Sequence, residues 1–283
     1  MSIILGLSNT HNGSIALIQD GEVKVAVQAE RISRHKRQTL SLGNESAIAQ
    51  KCIRYCLDAS GLQYEDINAI ALSTPWQVTQ ISDIELFAYI GGTPKNYIKT
   101  SYVPHHLAHM EYIIHYGFLA PGIVLVVDGS GTHEADRMLF NVKEEHHQKI
   151  INHTNFCGKE VISAYWFDGL KSSLIYRFSP SQAPIDPCNI CSRGFLQSVG
   201  HYWEWASLYC CGSRSDAGKV MGLAAFGDVE TSEQSTILSL SSTGELRLDF
   251  ESIKENFKNP NIFSLDLSNS KHHQNVARQV QTE

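Results

Sequence analysis

One local pattern occurs twice in this chain, and that repetition limits the available folds more than any single residue does. Ile3–Ser8 is a short apolar strand, Asn9–Gly13 a small polar loop, and Gly13–Gln19 a second strand. Asp20-Gly21 is a hairpin turn signal, and Glu22–Ala29 alternates Val23, Val25 and Val27 with polar partners as a third strand. Ile123–Asp128 starts the pattern again, followed by the small-residue loop Gly129-Ser130-Gly131-Thr132 and strands over Arg137–Val142 and Gln148–Thr154. Two such starts, at residues 3 and 123, predict a duplicated α/β protein with a first lobe over 1–120 and a second over 121–283. Each polar loop follows a first strand and can turn backbone amides toward an anion, so the two are expected to face each other across a cleft.

The rest of the chain supplies helices and connections. Ala47, Ile48, Cys52, Ile53, Cys56 and Leu57 recur at helical spacing over 44–60, with Gly61 as the stop. A strand follows over Ile67–Leu72, a helix over Ile81–Ile90 and a strand over Tyr97–Val103. Residues 157–193 have no clean period and carry Pro180, Pro184 and Pro187, which predicts a long loop or insertion. Phe195–Cys210 has helical character, and the glycine-punctuated run Asp216–Gly227 surrounds one cation, Lys219, as an anion-contacting helix entry can. It is no P-loop, because Gly218-Lys219 is not followed by Ser or Thr. Gly244–Phe250 reads as a strand, and Glu251–Phe257 and Lys271–Gln281 as helices.

The densest candidate chemistry lies at Val103-Pro104-His105-His106-Leu107-Ala108-His109. The X-Pro step favours a fresh helix start, and on a helix over 105–116 the side chains of His105 and His109 stand on one face, Cβ atoms ~6 Å apart. Neutral imidazole suits a borderline transition metal, and Asp128, at the carboxyl end of an apolar strand, is the candidate third ligand. His-x-x-x-His alone is a weak signal that surface histidines produce by chance. His106 competes with His105, since i,i+3 and i,i+4 both face one side, and spacing does not choose between them. A metallohydrolase is disfavoured because no Glu lies between the histidines as a hydrolytic base.

Composition removes other classes. A net charge of −6 over 283 residues leaves no basic footprint for nucleic acid, and no apolar run approaches the ~18 residues of a membrane span. The amino terminus has no basic n-region, so no signal peptide is expected. Seven cysteines, an odd number, fit free thiols in the reducing cytoplasm, with Cys188-x-x-Cys191 and Cys210-Cys211 too weak a pattern for zinc. Glu30–Arg37 holds five basic residues in eight, ordinarily a solvated charge run, but positioned near the His11 loop where an anion would be met.

Five motifs, in order, now carry a resemblance. They are His11-Asn12-Gly13-Ser14, Glu30-Arg31-x-x-Arg34-x-Lys36, His105-His106-Leu107-Ala108-His109, Val127-Asp128-Gly129-x-Gly131, and Gly218-Lys219-x-Met221-Gly222-Leu223-Ala224-x-x-Gly227. Together they resemble the NodU/CmcH O-carbamoyltransferases over nearly the whole chain. The resemblance implies an actin-like (ASKHA) fold related to the tRNA threonylcarbamoyl-transfer proteins. It also implies ATP and carbamoyl phosphate as co-substrates, a carbamoyl-adenylate intermediate, and iron(II) or a similar metal. By motif, His105, His109 and Asp128 would hold that metal, and His11 would be the general base at the acceptor hydroxyl. Lys36, Asp128, Gly129, Ser130 and Gly131 would contact nucleotide or phosphate, Lys219 acceptor or phosphate, and Asn9 and Asp216 would line the acceptor pocket. Asn12 stands where the family often has Asp, and Phe226 where Tyr or His is common. Family members continue into an adenosine-binding loop, a further metal-ligating Asp and a YrdC-like domain. The second lobe is therefore expected to be incomplete and that domain absent.

Two functions from different classes follow. The first is an O-carbamoyltransferase, or its amino-terminal portion, acting on a hydroxyl of a small molecule or sugar natural product. The second is a non-catalytic truncated or split subunit that needs a second chain. An actin-like sugar kinase would share the phosphate loops without needing the histidine pair. The acceptor is not named by these residues.

Overall fold

Turn chemistry sets the first hairpin. Asp20 and Gly21 both adopt positive φ, 52° and 86°, as a two-residue type I′ turn requires. They join β2 (Ser14–Gln19) to β3 (Glu22–Gln28), and β2 pairs antiparallel with β1 (Ile3–Ser8) on its other side. The computed structural model describes residues 2–40, 47–74, 98–117, 121–133, 158–169, 171–180, 194–228, 237–242, 246–249, 252–253 and 271–282. The predicted helix at 81–90, the strands at 137–142 and 148–154, most of the helix at 251–257 and the Cys188/Cys191 pair lie outside these residues. The chain divides into two compact units, Met1–Ala120 with Gly131–Ile150, and Pro121–Ser130 with Ile151–Glu283.

In the first unit β4 (Ala69–Ser73) lies parallel to β1, and β5 (Lys99–Val103) parallel to β4, giving the order β3-β2-β1-β4-β5. Parallel and antiparallel strands share this sheet, and with its helices the fold is α/β. Strand period places Ile3, Leu5, Leu7, Ile15, Leu17, Ile70 and Leu72 on one buried face. Helix α2 (Ala47–Ser60), which follows the short α1 (Ala29–Ser33), covers it with Ala49, Cys52, Ile53, Cys56 and Leu57. That stripe is the i, i+3, i+4, i+7, i+8 pattern of an amphipathic helix. α2 ends in a Schellman motif: Gly61 sits at φ 67°, Leu62 N–H reaches Leu57 O at 3.0 Å, and Gly61 N–H reaches Asp58 O at 3.3 Å.

In the second unit β6 (Gly122–Val127) pairs antiparallel with β7 (Ile162–Phe167), and β7 with β8 (Ser172–Phe178). This corrects the loop expected over 157–193, much of which is a hairpin turning at Asp168 and Gly169, the latter at φ 100°. The alternation was hidden because the β7–β8 register shifts between Ala164 and Tyr165. Ile175 is the extra residue, and such a bulge resets the two-residue period of β8, so Ile175 and Tyr176 are exposed in succession. The first unit also holds α3 (His105–Tyr116), and among the described residues three helices form the second core: α4 (Val199–Cys211), α5 (Ala217–Ala224) and α6 (Lys271–Thr282). Tyr202, Trp205 and Tyr209 stack along α4, with centroids 5.8 and 5.3 Å apart, against Val220, Ala224, Val276, Ala277 and Val280. Fully buried Trp205 anchors this cluster, and its truncation to Ala would cost ~3–5 kcal/mol. A small ribbon, β9 (Leu238–Leu240) with β10 (Leu246–Leu248), completes the described strands. No helix among the described residues is long and apolar enough to cross a membrane.

Candidate functional site

Topology sends the first unit's candidate residues to one edge of its sheet. β4 and β5 run with β1, and β3 returns antiparallel to β2, so β1, β3, β4 and β5 all end on the same side. Carboxyl ends of parallel strands are where α/β proteins take ligands. Leaving that edge are the Asn9–Gly13 loop, the Ala29–Leu40 segment, Ser73-Thr74, and Pro104 leading into α3 (His105–Tyr116). Asn9 is pinned there: its N–H donates to Ser73 O at 2.9 Å and its carbonyl accepts Thr74 Oγ1 at 3.3 Å. Its Oδ1 is buried with no partner among the described residues, the condition of a group that awaits a ligand or water. His11 is exposed at the loop tip. Gly13 is obligatory, since a Cβ there would lie 2.5 Å from Leu40 N and 2.8 Å from Thr39 C. Gly13 N–H also donates to Gln38 O at 2.9 Å. Residues 38–40 are thereby bound to the His11 loop, which brings His11 and the exposed Lys36 to the same end of the unit. Lys36 lies between two non-glycine residues in left-handed backbone, Arg34 at φ 64° and Arg37 at φ 59°. Each such residue costs ~1–2 kcal/mol and is retained only where its surroundings hold it. Here Arg34 N–H caps Glu30 O at 2.9 Å and Arg37 N–H reaches Glu30 Oε2 at 3.4 Å.

α3 begins as its sequence dictates. Pro104 supplies the extended residue at φ −53°, ψ 142°, and Thr132 Oγ1 accepts the otherwise unused His105 N–H at 2.8 Å. One turn later His109 stands over His105, with Nε2 atoms 3.3 Å apart and ring centroids 4.6 Å apart at 76°. His106 points elsewhere and is fully buried. Successive helical residues differ by ~100° in direction, so only one of the two neighbours can share the exposed face with His109. A neutral pair shares one N–H across this distance, whereas an ion takes a lone pair from each ring. Two nitrogens ~2.0–2.1 Å from a common ion, at angles between octahedral and tetrahedral, stand ~2.9–3.4 Å apart. The donor chemistry and the observed spacing therefore fit a transition metal.

The second unit carries the other candidates. Asp128 ends β6, its N–H donating to Val161 O at 3.0 Å and its Oδ1 accepting Gly129 N–H at 2.7 Å. The next residues are clamped to the start of α4. Ser198 Oγ caps that helix by accepting His201 N–H at 3.0 Å and donates to Gly129 O at 3.2 Å. Gly200 lies so close that a Cβ would sit 2.4 Å from Gly129 Cα and N. Beside the loop, Arg214 grips Glu204 Oε2 through Nε (2.9 Å) and Nη2 (2.6 Å) and lies over the Phe195 ring at 4.5 Å. Beneath β7 and β8, buried Glu160 pairs with Arg177 at 2.9 Å, and the adjacent Tyr165 phenol is pushed up to about 12 by burial first and Glu160 second. Asp216, just before α5, and Lys219 in its first turn are brought together as an ion pair at 2.8 Å. Of the phosphate-loop candidates, Asp128, Gly129 and Ser130 belong to the second unit and Gly131 to the first. Sequence reasoning missed His201, Ser198 and the Glu204–Arg214 pair. The Ser198-x-x-His201 spacing at a helix entry was the one local signal available.

The family described as Carbamoyltransferase N-terminus matches residues 3–279. Nodulation protein NolNO of Sinorhizobium fredii (strain NBRC 101917 / NGR234) is 28% identical over 150 residues, a match spanning 45% of this chain and 21% of that protein. Among solved structures, YeaZ from Pseudomonas aeruginosa is 13% identical with a TM-score of 0.35, covering 66% of this chain and 70% of that one. An uncharacterized protein with similarity to peptidase YEAZ from Pseudomonas aeruginosa is 12% identical with a TM-score of 0.36, covering 66% and 69%.

Proposed function

Since the chain belongs to the carbamoyltransferase amino-terminal family, we propose that it serves transfer of a carbamoyl group to a hydroxyl of a small molecule or sugar natural product. ATP and carbamoyl phosphate are the co-substrates, and carbamoyl adenylate is the donor. The observation that carries this reading is the His105–His109 pair, whose 3.3 Å Nε2 separation suits a shared ion. Asp128 is the proposed third ligand. It lies four residues before Thr132, whose Oγ1 accepts His105 N–H at 2.8 Å. Iron(II) or a similar ion held there would draw charge from the phosphate oxygens of the leaving nucleotide.

The chain's own residues do the rest. His11 removes the hydroxyl proton as that oxygen attacks the carbamoyl carbon, and the electron pair of the breaking carbamoyl–phosphate bond leaves with AMP. Lys36 and the Gly129–Gly131 amides meet phosphate charge, while Asn9, Asp216 and Lys219 contact the acceptor or a phosphate.

Metal content tests the carrying observation. His109→Ala should abolish bound transition metal by elemental analysis, while His106→Ala should keep it and lose ~2 kcal/mol or more of stability from its buried site. Equal metal in wild type and His109→Ala would refute the site. Turnover is then assayed with ATP, carbamoyl phosphate, ferrous ion and hydroxylated acceptors. Because the curated match spans 21% of its relative, the assay is run with this chain alone and with the remaining region added as a second chain. Absence of carbamoylated product in both would refute the reaction.

A further inference from the structure

His201 belongs to none of the five motifs, yet its ring is held in one orientation beside the Gly129 loop. Its Nδ1 accepts the N–H of Leu196 at 2.7 Å. A backbone amide only donates, so Nδ1 must present its lone pair, and the neutral ring carries its proton on Nε2. That leaves no free lone pair: in this tautomer His201 is neither a general base nor a metal ligand, and it can act only as a donor. The Cδ2 atom, bonded to Nε2, lies beside the loop: a Cβ on Gly129 would stand 3.7 Å from it. Burial holds the ring's pKa below the usual histidine range, in keeping with the neutral form. Arg214, one of the cations acting on the ring, already gives Nε and Nη2 to Glu204.

The donor and the loop are also fixed to each other. Ser198 bonds both His201 N–H and Gly129 O, and the Gly200–Gly129 backbone contact allows no side chain between them. A donor in such a frame adds affinity because little of its freedom remains to be lost on binding. We propose that His201 donates its Nε2–H to an oxyanion of the phosphate class bound at the Asp128–Ser130 turn. This rests on the phosphate-contacting role given to that turn above, and it adds a neutral side-chain donor to the backbone amides there.

The test uses the full chain with inorganic phosphate and AMP as probes. Histidine-ring ¹⁵N–¹H correlation spectra, with His201→Phe assigning the signal, should give an unprotonated Nδ1 and a protonated Nε2 whose proton resonance moves on titration. Phosphate affinity should fall roughly tenfold in His201→Phe, as expected for loss of a hydrogen bond to a charged group, and recover in His201→Gln, which keeps a side-chain N–H. A role limited to holding α4 would leave the Nε2 resonance still, and that result would overturn the inference, as would a proton on Nδ1. Were His201→Phe to misfold, the wild-type titration decides by itself. Phosphate binding that leaves His201 unmoved refutes this inference alone, whereas a wild type that binds neither probe refutes the phosphate-loop reading as well.

Discussion

Gly200→Ala is the sharpest perturbation of the second unit. The new Cβ would start 2.4 Å from Gly129 Cα and N and 2.8 Å from Asp128 C, against the 3.4 Å at which ordinary contact begins. All three neighbours are backbone, so no side chain can rotate away, and helix α4 and the Asp128–Gly129 turn must separate by about 1 Å, the difference between 3.4 and 2.4. Overpacking of this kind costs ~1–3 kcal/mol, and the Ser198–Gly129 bond at 3.2 Å stretches with it. At a few degrees per kcal/mol, Tm falls by roughly 3–10 °C. The effect on metal should be larger in proportion. Metal–ligand distances tolerate about ±0.2 Å, so if Asp128 is the third ligand as proposed, a shift of about 1 Å in its backbone takes it out of reach or forces a costly rearrangement. Thermal melts and metal titrations of wild type and Gly200→Ala read both quantities. An unchanged melt would mean the contact is looser than it stands here. A destabilised variant with wild-type metal affinity would instead remove Asp128 from the ligand set.

Other outcomes follow from single features. Gly222 lies exposed inside α5 with nothing within 4 Å of a Cβ, so Gly222→Ala should raise stability by ~0.5–1 kcal/mol, and a lower Tm would contradict the open space seen there. His272 and His273 are both held below the usual histidine range, His272 by burial, and His273 by burial first and His272 second. An unfolded chain then binds more protons than the folded one just below pH ~6.5, so stability is intact above that pH and falls beneath it. Denaturant midpoints at near-neutral and mildly acid pH should show this loss, and the His272→Gln/His273→Gln double variant should lose less. Burial pushes the Cys56 thiol up to about 11 and Cys210 to about 12, and raises Cys52 as well. Among the four described cysteines, native thiol labelling should begin at the half-buried Cys211, and faster labelling of Cys52 would mean α2 opens locally.

Much of the first unit was readable residue by residue. Asp20-Gly21 specified its turn, Gly61 its helix stop, and the helical spacing of Cys52, Ile53, Cys56 and Leu57 the buried stripe of α2. Pro104 and the following apolar spacing set α3 at His105–Tyr116. These are interactions among residues a few positions apart, whose backbone energies are written locally and survive in almost any tertiary setting. The carbamoyltransferase motifs were equally legible, because they are runs of neighbouring residues.

What the sequence left open was decided by partners distant in the chain. Spacing allowed His105 or His106 to join His109, and the packing that buries His106 made the choice. The β7–β8 hairpin was hidden because its register shifts at Ala164/Tyr165, and a bulge is defined by the strand across from it. Gly13 and Gly200 look like any other loop and helix glycines until residues 38–40 and 129 come against them. His201 became a fixed donor only through Leu196 N–H and the Gly129 turn. Local propensity proposes elements at a cost of tenths of a kcal/mol per residue, whereas burial and steric exclusion between distant segments are worth several. Where the two compete, tertiary structure decides, and the functional side chains of this protein lie where they do.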